Sequence, residues 1–274
     1  MIGRPKKYQW TQAKLDRYLK EKRGQGEGKD YKPWLTVRDV SSHGRSSRLT
    51  SWKTGRVHHF LSDHETRLFY LFEWSDEIVD IREQFPLLEL DVVREIADEM
   101  GWSYSKDAET NVPYVLTTDF MLTVKRDGKL FRVARTFKEA KELDNESVAA
   151  RLELERRYYL AEETDWDVLT EKGYSKLLAE NVKWVHSNYW LELPSGMSVG
   201  DFQSLAKILK LKLQGTELSI TQITTALDVE HHLEGGSFLS IFKHLIARKE
   251  IVMDMLNTNI SSCSSAKLIQ RIIH

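Results

Sequence analysis

Three polar side chains come close together if two apolar runs of this chain form a β-hairpin. Residues 115–125 (VLTTDFMLTVK) and 130–138 (LFRVARTFK) flank a turn at Arg126-Asp127-Gly128. Pairing outward from a two-residue turn sets Asp119 opposite Thr136, with Lys138 one pleat further along the same face. A carboxylate beside a lysine, together with a glutamate from a nearby helix, is the set of side chains with which metal-dependent phosphodiesterases hydrolyse their substrate. The hairpin therefore predicts a site that cuts DNA.

The same register predicts the two faces of the hairpin. On the second face Leu122 pairs with Val133 and Val124 with Phe131, so that face is expected to be apolar and buried, and the face of Asp119 polar. An aspartate near a lysine across a sheet is more often a solvated ion pair than a catalytic site. Position alone leaves both interpretations open.

Glu65 is the candidate third member of the site. It follows Ser62 by three residues at the start of a segment in which Leu68, Phe69 and Phe72 recur at helical spacing. Ser62 with Glu65 also fits a capping box, in which the glutamate accepts a hydrogen bond from an unpaired backbone N–H at the helix start. Glu65 could serve the cap, the site, or both.

Length and composition set the outer limits. The chain has 274 residues, 41% of them hydrophobic, enough for two domains with real cores. Its one cysteine, Cys263, excludes an internal disulfide and a cysteine-based zinc cluster, whereas an Asp/Glu site for a hard cation stays open. No apolar stretch suggests a membrane helix or a signal peptide, so we expect a cytoplasmic protein without a membrane partner.

Positive charge is concentrated at the start of the chain. Residues 1–59 carry fifteen Lys or Arg against five Asp or Glu, although the net charge of the whole chain is -1. Interleaved with Trp and Tyr, this basic arm suits contacts to DNA phosphates, although a merely solubilising tail is the alternative. The candidate contacts are Arg4, Lys6, Lys7, Arg45, Arg48, Lys53 and Arg56. The glycines of RGQGEGKD are read as a flexible hinge, since the ending of a phosphate-binding loop is missing.

The order of predicted elements favours an α/β fold. A helix from Ser62, a strand over 78–85, a helix over 91–100, the hairpin, a helix over 147–162 and a strand over 166–169 predict a mixed sheet with helices packed on it. Residues 8–23 are expected to be helical and 35–55 irregular. We expect three parts: the basic arm (1–59), a catalytic domain (60–193) and a C-terminal domain (194–274).

The C-terminal domain is predicted to be a winged helix. Helices over 202–213, 220–227 and 238–247 precede a strand over 251–256, and Ser219 is placed to cap the second helix. The third helix would present Lys243 and Arg248 to DNA phosphates. Modules of this kind bind proteins about as often as DNA, so both uses stay open.

Several runs of the chain resemble the TnsA endonuclease family of heteromeric cut-and-paste transposons. They are RGQGEGKDYKPWLTV, GRSSRLTSWKTGRVHHFLSDHE, EWSDEIVDIREQFPLL, TTDF and, later, LELERRYY. The resemblance is close in residue identity and in the order of the motifs over about residues 23–125, and only general over the last hundred residues.

The resemblance implies a restriction-endonuclease-like catalytic domain followed by a winged helix. It implies cleavage at the 5′ ends of the transposon, on double-stranded DNA, beside a TnsB-type transposase and a TnsC-type AAA+ ATPase. The family's catalytic glutamate, aspartate and lysine fall on Glu65, Asp119 and Lys138. The implied cofactor is Mg²⁺, which Mn²⁺ could replace.

One position departs from the family. The family usually has Gln or an acid two residues before the lysine, where this chain has Thr136. With a neutral hydroxyl there, metal binding would depend on Glu65, Asp119, the Phe137 backbone carbonyl and water, with Thr136 a weak ligand. Partial or partner-dependent cleavage is expected. The alternatives are a catalytically weakened adaptor that bridges transposase, ATPase and DNA, or a nuclease that acts alone.

Overall fold

The chain divides into two compact units. A computed structural model describes residues 9–39, 45–190, 197–261 and 266–273. The first unit is Met1–Tyr174 and the second Ser175–His274. This boundary falls before the one predicted at residue 194, because helix Lys176–His186 packs into the second unit. Its buried Asn181 donates to the carbonyls of Met255 and Thr258, at 2.9 and 2.7 Å.

The first unit is a mixed sheet with helices, as the order of elements predicted. Its helices are α1 (Gln12–Lys20), α2 (Asp63–Trp74), α3 (Leu90–Glu99) and α4 (Glu146–Ala161). Its strands are β1 (Ser47–Thr50), β2 (Val57–Phe60), β3 (Ile78–Pro86), β4 (Thr117–Arg126), β5 (Lys129–Phe137) and β6 (Asp165–Leu169). The main sheet has the order β3-β4-β5-β6, with β6 parallel to β5 and the other pairs antiparallel. Strands β1 and β2, which were not predicted, form a separate pair.

The predicted hairpin register is confirmed. Phe120 pairs with Arg135 and Leu122 with Val133, out to the turn at Asp127-Gly128. Both turn residues have positive φ, 49° and 75°, as a tight turn between twisted strands requires. This register brings the start of β4, with Asp119, beside the end of β5.

Both faces of the hairpin are covered, which corrects the expectation of one polar face. On the face of Asp119, Met121 and Ala134 join a buried cluster with Leu154 and Tyr159 of α4. On the second face, Phe120 packs against Phe60 and Phe72, with ring centroids 6.1 and 5.0 Å away. Near the turn both faces open, since Leu130 on the face of Asp119 is 64% exposed and Phe131 on the second face is 47% exposed. Asp119 and Thr136 therefore lie at the end of a buried face, which disfavours a solvated ion pair.

The described part of the basic arm is built into the first unit. Trp10, Tyr18 and Trp34 form a buried aromatic cluster with Val112 and Val115. The predicted glycine hinge is instead a packed turn. Gly24 has a φ of +76°, and a Cβ there would lie 2.1 Å from Cγ of Pro86. Residues 9–39 are thus part of the core that supports β3.

The second unit consists of helices and one small sheet. Its helices are α5 (Lys176–His186), α6 (Val199–Lys212), α7 (Ile220–Glu230) and α8 (Ser237–Ala247), and β7 (Ile251–Met253) pairs antiparallel with β8 (Ile269–Ile272). Ser219 caps α7 as predicted, with its side chain accepting from the N–H of Gln222. Helix α5 and strand β8 were not predicted. None of the helices in the described ranges is long and apolar enough to cross a membrane.

Candidate active site

Asp119 and Lys138 meet at the main chain of Phe137. Oδ2 of Asp119 accepts a 2.7 Å hydrogen bond from the Phe137 N–H. Nζ of Lys138 donates to the Phe137 carbonyl at 3.1 Å. One peptide segment at the end of β5 therefore positions both predicted catalytic groups, and the carbonyl predicted as a metal ligand accepts from the lysine.

Glu65 lies in the first turn of α2 and reaches the site. Ser62 begins α2 by accepting from the Glu65 N–H, but the carboxylate does not close a capping box. Its Oε2 accepts from the N–H of Leu61 at 3.1 Å and from Nε2 of Gln84 at 3.2 Å. Gln84 belongs to β3 and stands next to Asp119 in the register of the sheet. The glutamate is thus held by the strand beside the one that carries Asp119.

Negative charge accumulates where these elements meet. Burial, followed by the charge of Asp119, raises the pKa of Glu65 to about 7, although its hydrogen bonds act in the opposite direction. Glu65 is buried, with 6% of its surface exposed, and its carboxylate lies close to that of Asp119. A cation placed between the two carboxylates would relieve this repulsion.

Glu155 is a further acid at the site that sequence reasoning missed. It comes from α4 and is fully buried, and burial raises its pKa. Its Oε2 accepts from the hydroxyls of Thr136 at 2.5 Å and Thr118 at 3.3 Å. Nε of Arg151 lies 3.5 Å from Oε1 without hydrogen-bond geometry, so Oε1 has no donor within the described part of the chain. The Thr136 hydroxyl is therefore engaged with a carboxylate.

The sequence did contain a signal for Glu155. It stands three residues after Leu152 and four before Tyr159, on the buried face of α4. A charged residue at a core-facing helix position is rarely tolerated without a partner or a function. Reading LELERRYY for helix faces would have selected this acid.

Gln84 holds Glu65 from a strained backbone position. Its φ is +48°, in the left-handed region that non-glycine residues seldom adopt. Its side chain donates to Glu65 and accepts from Thr117 at 3.2 Å, while its carbonyl accepts from the Trp34 N–H at 3.2 Å. Strain of this kind persists only where the surroundings enforce it, and it concentrates at functional sites.

The predicted DNA contacts have different surroundings. Arg45 and Arg48 are exposed at the start of the β1–β2 pair. Lys53 is half-buried, and its Nζ donates to the Ser75 carbonyl at 2.7 Å. In the second unit, Lys243 lies over the ring of Trp184 and Arg248 over the ring of Tyr189, at 4.5 and 4.7 Å. The predicted contacts Arg4, Lys6 and Lys7 lie outside the described residues.

Arg56 is not available to DNA, which corrects the prediction for this residue. It is 9% exposed, and its guanidinium donates to both carboxylate oxygens of Glu83 and to the Ile81 carbonyl. Glu83 is fully buried, and burial alone would raise its pKa. Charge and hydrogen bonds from His58 and Arg56 outweigh burial and lower that pKa. The pair holds β2 against β3.

The donor atoms at the site suit a hard cation. Among the described residues, no three Asp, Glu, His or Cys side chains cluster closely enough to hold a metal by themselves. Glu65 and Asp119 offer two carboxylates, and Phe137 a carbonyl. Mg²⁺ typically takes one or two carboxylates and completes its octahedron with water, whereas zinc needs several His or Cys ligands.

Comparisons with known proteins identify the class of this chain. Residues 75–171 match a family model described as "TnsA-like endonuclease N terminal", which includes Asp119, Lys138 and Glu155. Residues 175–255 match "TnsA endonuclease C terminal", and this match begins at the first residue of the second unit. The two matches define the class as an endonuclease with two units.

A relative specifies the family. The chain is 40% identical over 238 residues to the transposon Tn7 transposition protein TnsA of Escherichia coli, covering 87% of this chain and 84% of the relative. The chain belongs to the TnsA family of endonucleases that act in Tn7-type transposition.

Proposed function

We propose that this protein cuts the 5′ ends of its transposon by metal-dependent hydrolysis of a phosphodiester bond. The observation that carries the proposal is the convergence of Asp119 and Lys138 on Phe137, with Glu65 held by the adjacent strand. The first unit would have a restriction-endonuclease-like fold. The second, in which helices α6, α7 and α8 precede a two-stranded sheet, would be a winged helix.

Mg²⁺ is the proposed cofactor, with Mn²⁺ as a substitute. Glu65, Asp119 and the Phe137 carbonyl would hold it. The raised pKa of Glu65 supports this assignment, since a buried carboxylate close to a second carboxylate is an environment that a divalent cation stabilises. When bound, the ion supplies neutralisation of the scissile phosphate and a water of lowered pKa.

The other side chains have distinct proposed roles. Lys138 would leave the Phe137 carbonyl and direct its ammonium group to the attacking water or to the charge that develops on the phosphate. Thr136 would act through Glu155, whose Oε1 lies 3.5 Å from Nε of Arg151 but accepts no hydrogen bond within the described residues, and could accept a proton or orient a water. A buried carboxylate thus stands behind the position where the family offers Gln or an acid, and this favours the cleaving enzyme over the adaptor.

The partners are proposed from the family alone. Double-stranded DNA at the transposon ends would be the substrate, and a TnsB-type transposase and a TnsC-type AAA+ ATPase would complete the assembly. Exposed Arg45 and Arg48 would contact phosphates, because their strand pair leads directly into Ser62 and Glu65. Backbone contacts of this kind fix the position of the duplex, whereas partners choose the end.

Strand-specific mapping of DNA ends tests the proposal. A donor plasmid is incubated with Mg²⁺, the transposase and the ATPase, using wild type, Glu65→Ala, Asp119→Ala and the control Asp63→Ala, an exposed acid on the same helical turn. We expect 5′ nicks with wild type and the control, and none with the other two. If wild type gives only 3′ cleavage, the enzyme proposal fails and the adaptor takes its place.

A further inference from the structure

A cluster of three rings borders the candidate site. The His64 ring is stacked on the Phe137 ring, with centroids 4.2 Å apart and planes 16° from parallel. Nδ1 of His64 lies 2.9 Å from the hydroxyl of Tyr174, whose ring meets both others edge-on. The cluster joins the first turn of α2, the end of β5 and the last residue of the first unit.

Two of the three rings, those of His64 and Phe137, belong to residues that adjoin groups of the site in the chain. His64 directly precedes Glu65 in the first turn of α2. Phe137 donates its N–H to Asp119 and accepts from Lys138 with its carbonyl. The stack therefore connects the helix that carries Glu65 with the strand end that holds Asp119 and Lys138.

We infer that His64 is a positioning residue for cleavage, whose ring sets the separation between Glu65 and the Asp119–Lys138 pair by stacking on Phe137. This inference rests on the proposed function. A flat ring at van der Waals distance resists both approach and lateral shift, and the hydrogen bond to Tyr174 is a secondary contact. Because the carboxylates of Glu65 and Asp119 repel each other, such a contact keeps the first turn of α2 and the end of β5 at the separation that cleavage requires.

The ion pair of His64 with Glu139 is too long to explain the position of the ring. Its Nε2 lies 3.9 Å from Oε1 of Glu139, beyond hydrogen-bond distance. Glu139 is partly exposed and already pairs with Lys141 at 2.6 Å. Stacking on Phe137 and the bond to Tyr174 are the close contacts, so the shape of the ring is the property that the variants should test.

Four variants separate ring shape from hydrogen bonding. His64→Phe keeps a flat ring without the polar bond, and Tyr174→Phe removes the same bond from the other side. His64→Ala removes the ring, and His64→Leu fills the space with a side chain that cannot stack flat. Asp63→Ala is the control from the same turn. Folding is compared by thermal melting.

Two readouts are needed: the rate of 5′ cleavage by the full assembly over a range of DNA concentrations, which gives kcat and KM, and Mn²⁺ binding to the isolated protein by calorimetry. Because small misplacements of catalytic groups are costly, we expect His64→Ala and His64→Leu to slow cleavage by about 100-fold with unchanged KM for DNA. Mn²⁺ affinity should fall about tenfold, as for other residues that orient metal ligands. His64→Phe and Tyr174→Phe should stay within about threefold of wild type in both readouts.

Several results would overturn the inference. Wild-type behaviour of His64→Leu would exclude positioning, and His64→Phe as slow as His64→Leu would assign the role to the imidazole nitrogens instead. A raised KM with unchanged kcat would indicate a DNA contact. If wild type binds Mn²⁺ but does not cleave, the proposed function fails while the comparison of Mn²⁺ affinities still decides the role of His64. If wild type does neither, both fail.

Discussion

Thr136 donates a 2.5 Å hydrogen bond to the buried carboxylate of Glu155. This contact places an acid from α4 directly behind position 136 of β5. If Glu155 serves the site as proposed, it supplies from a different element the carboxylate that Thr136 lacks.

Removing the hydroxyl should damage both stability and cleavage. In Thr136→Val, Glu155 loses its shortest donor while staying buried, which should lower the free energy of unfolding by about 1–3 kcal/mol. Cleavage should fall by about tenfold or more, because Glu155 loses its orientation. Thr136→Ser is the matched control and should behave as wild type. Urea unfolding and strand-specific cleavage give the two measurements, and equal activity of the Val and Ser variants would exclude the role of Glu155.

Arg56 and Arg48 should respond in opposite ways. Arg56→Met removes the guanidinium from the buried Glu83 and leaves this carboxylate with His58 and the His59 N–H. Since one partner of a buried ion pair is lost, the free energy of unfolding should fall by about 3–5 kcal/mol. Arg48 is exposed, so Arg48→Met should leave stability unchanged and weaken DNA binding, with the salt dependence reduced by about one phosphate contact. Urea unfolding and DNA titrations over a range of salt concentrations distinguish them. A stable Arg56→Met with weakened DNA binding would restore Arg56 as a DNA contact.

The loss of folding stability at low pH should depend on the protonation of Asp39. Burial alone would raise its pKa, but hydrogen bonds from Thr36, Tyr18 and Arg23 outweigh it and lower the pKa to about 2. Because the folded-state pKa lies below the unfolded value of 3.8, the stabilisation is complete above about pH 4 and is lost as pH falls toward 2.

Asp39→Asn should therefore cost about 1–2 kcal/mol at neutral pH, allowing for partial exposure of the carboxylate, and should flatten the decline between pH 4 and 2. Asp16→Asn, at an exposed position on α1, is the control. Urea unfolding at a series of pH values measures both. Parallel pH curves for Asp39→Asn and wild type would contradict the assignment.

Local patterns in the sequence predicted the hairpin and the helix start that carry the site, but not the contacts that distant elements make there. The hairpin register and the start of α2 depend on neighbours in sequence, through turn chemistry and the Ser62 cap, and both are confirmed. Strand β1 was missed because Ser47–Thr50 alternates between half-buried and exposed residues and contains one large apolar side chain. The Glu155 and Gln84 contacts arise only when distant elements pack. The second unit begins at Ser175 and not at the predicted residue 194, because the buried Asn181 binds backbone groups far along the chain.

Gln84 offers a test of backbone strain at the site. Gln84→Ala and Gln84→Gly both lose the side-chain bond to Glu65, so both should reduce cleavage and Mn²⁺ affinity. Glycine adopts a φ of +48° without steric cost, whereas alanine does not. The free energy of unfolding of Gln84→Gly should therefore exceed that of Gln84→Ala by about 1 kcal/mol, so the glycine variant should unfold at a higher urea concentration. Gly128→Ala, at a turn glycine with positive φ, calibrates the strain of alanine in this region in the same protein. If the alanine variant is the more stable of the pair, the backbone at Gln84 is not strained and its position relative to Glu65 depends on side-chain contacts alone.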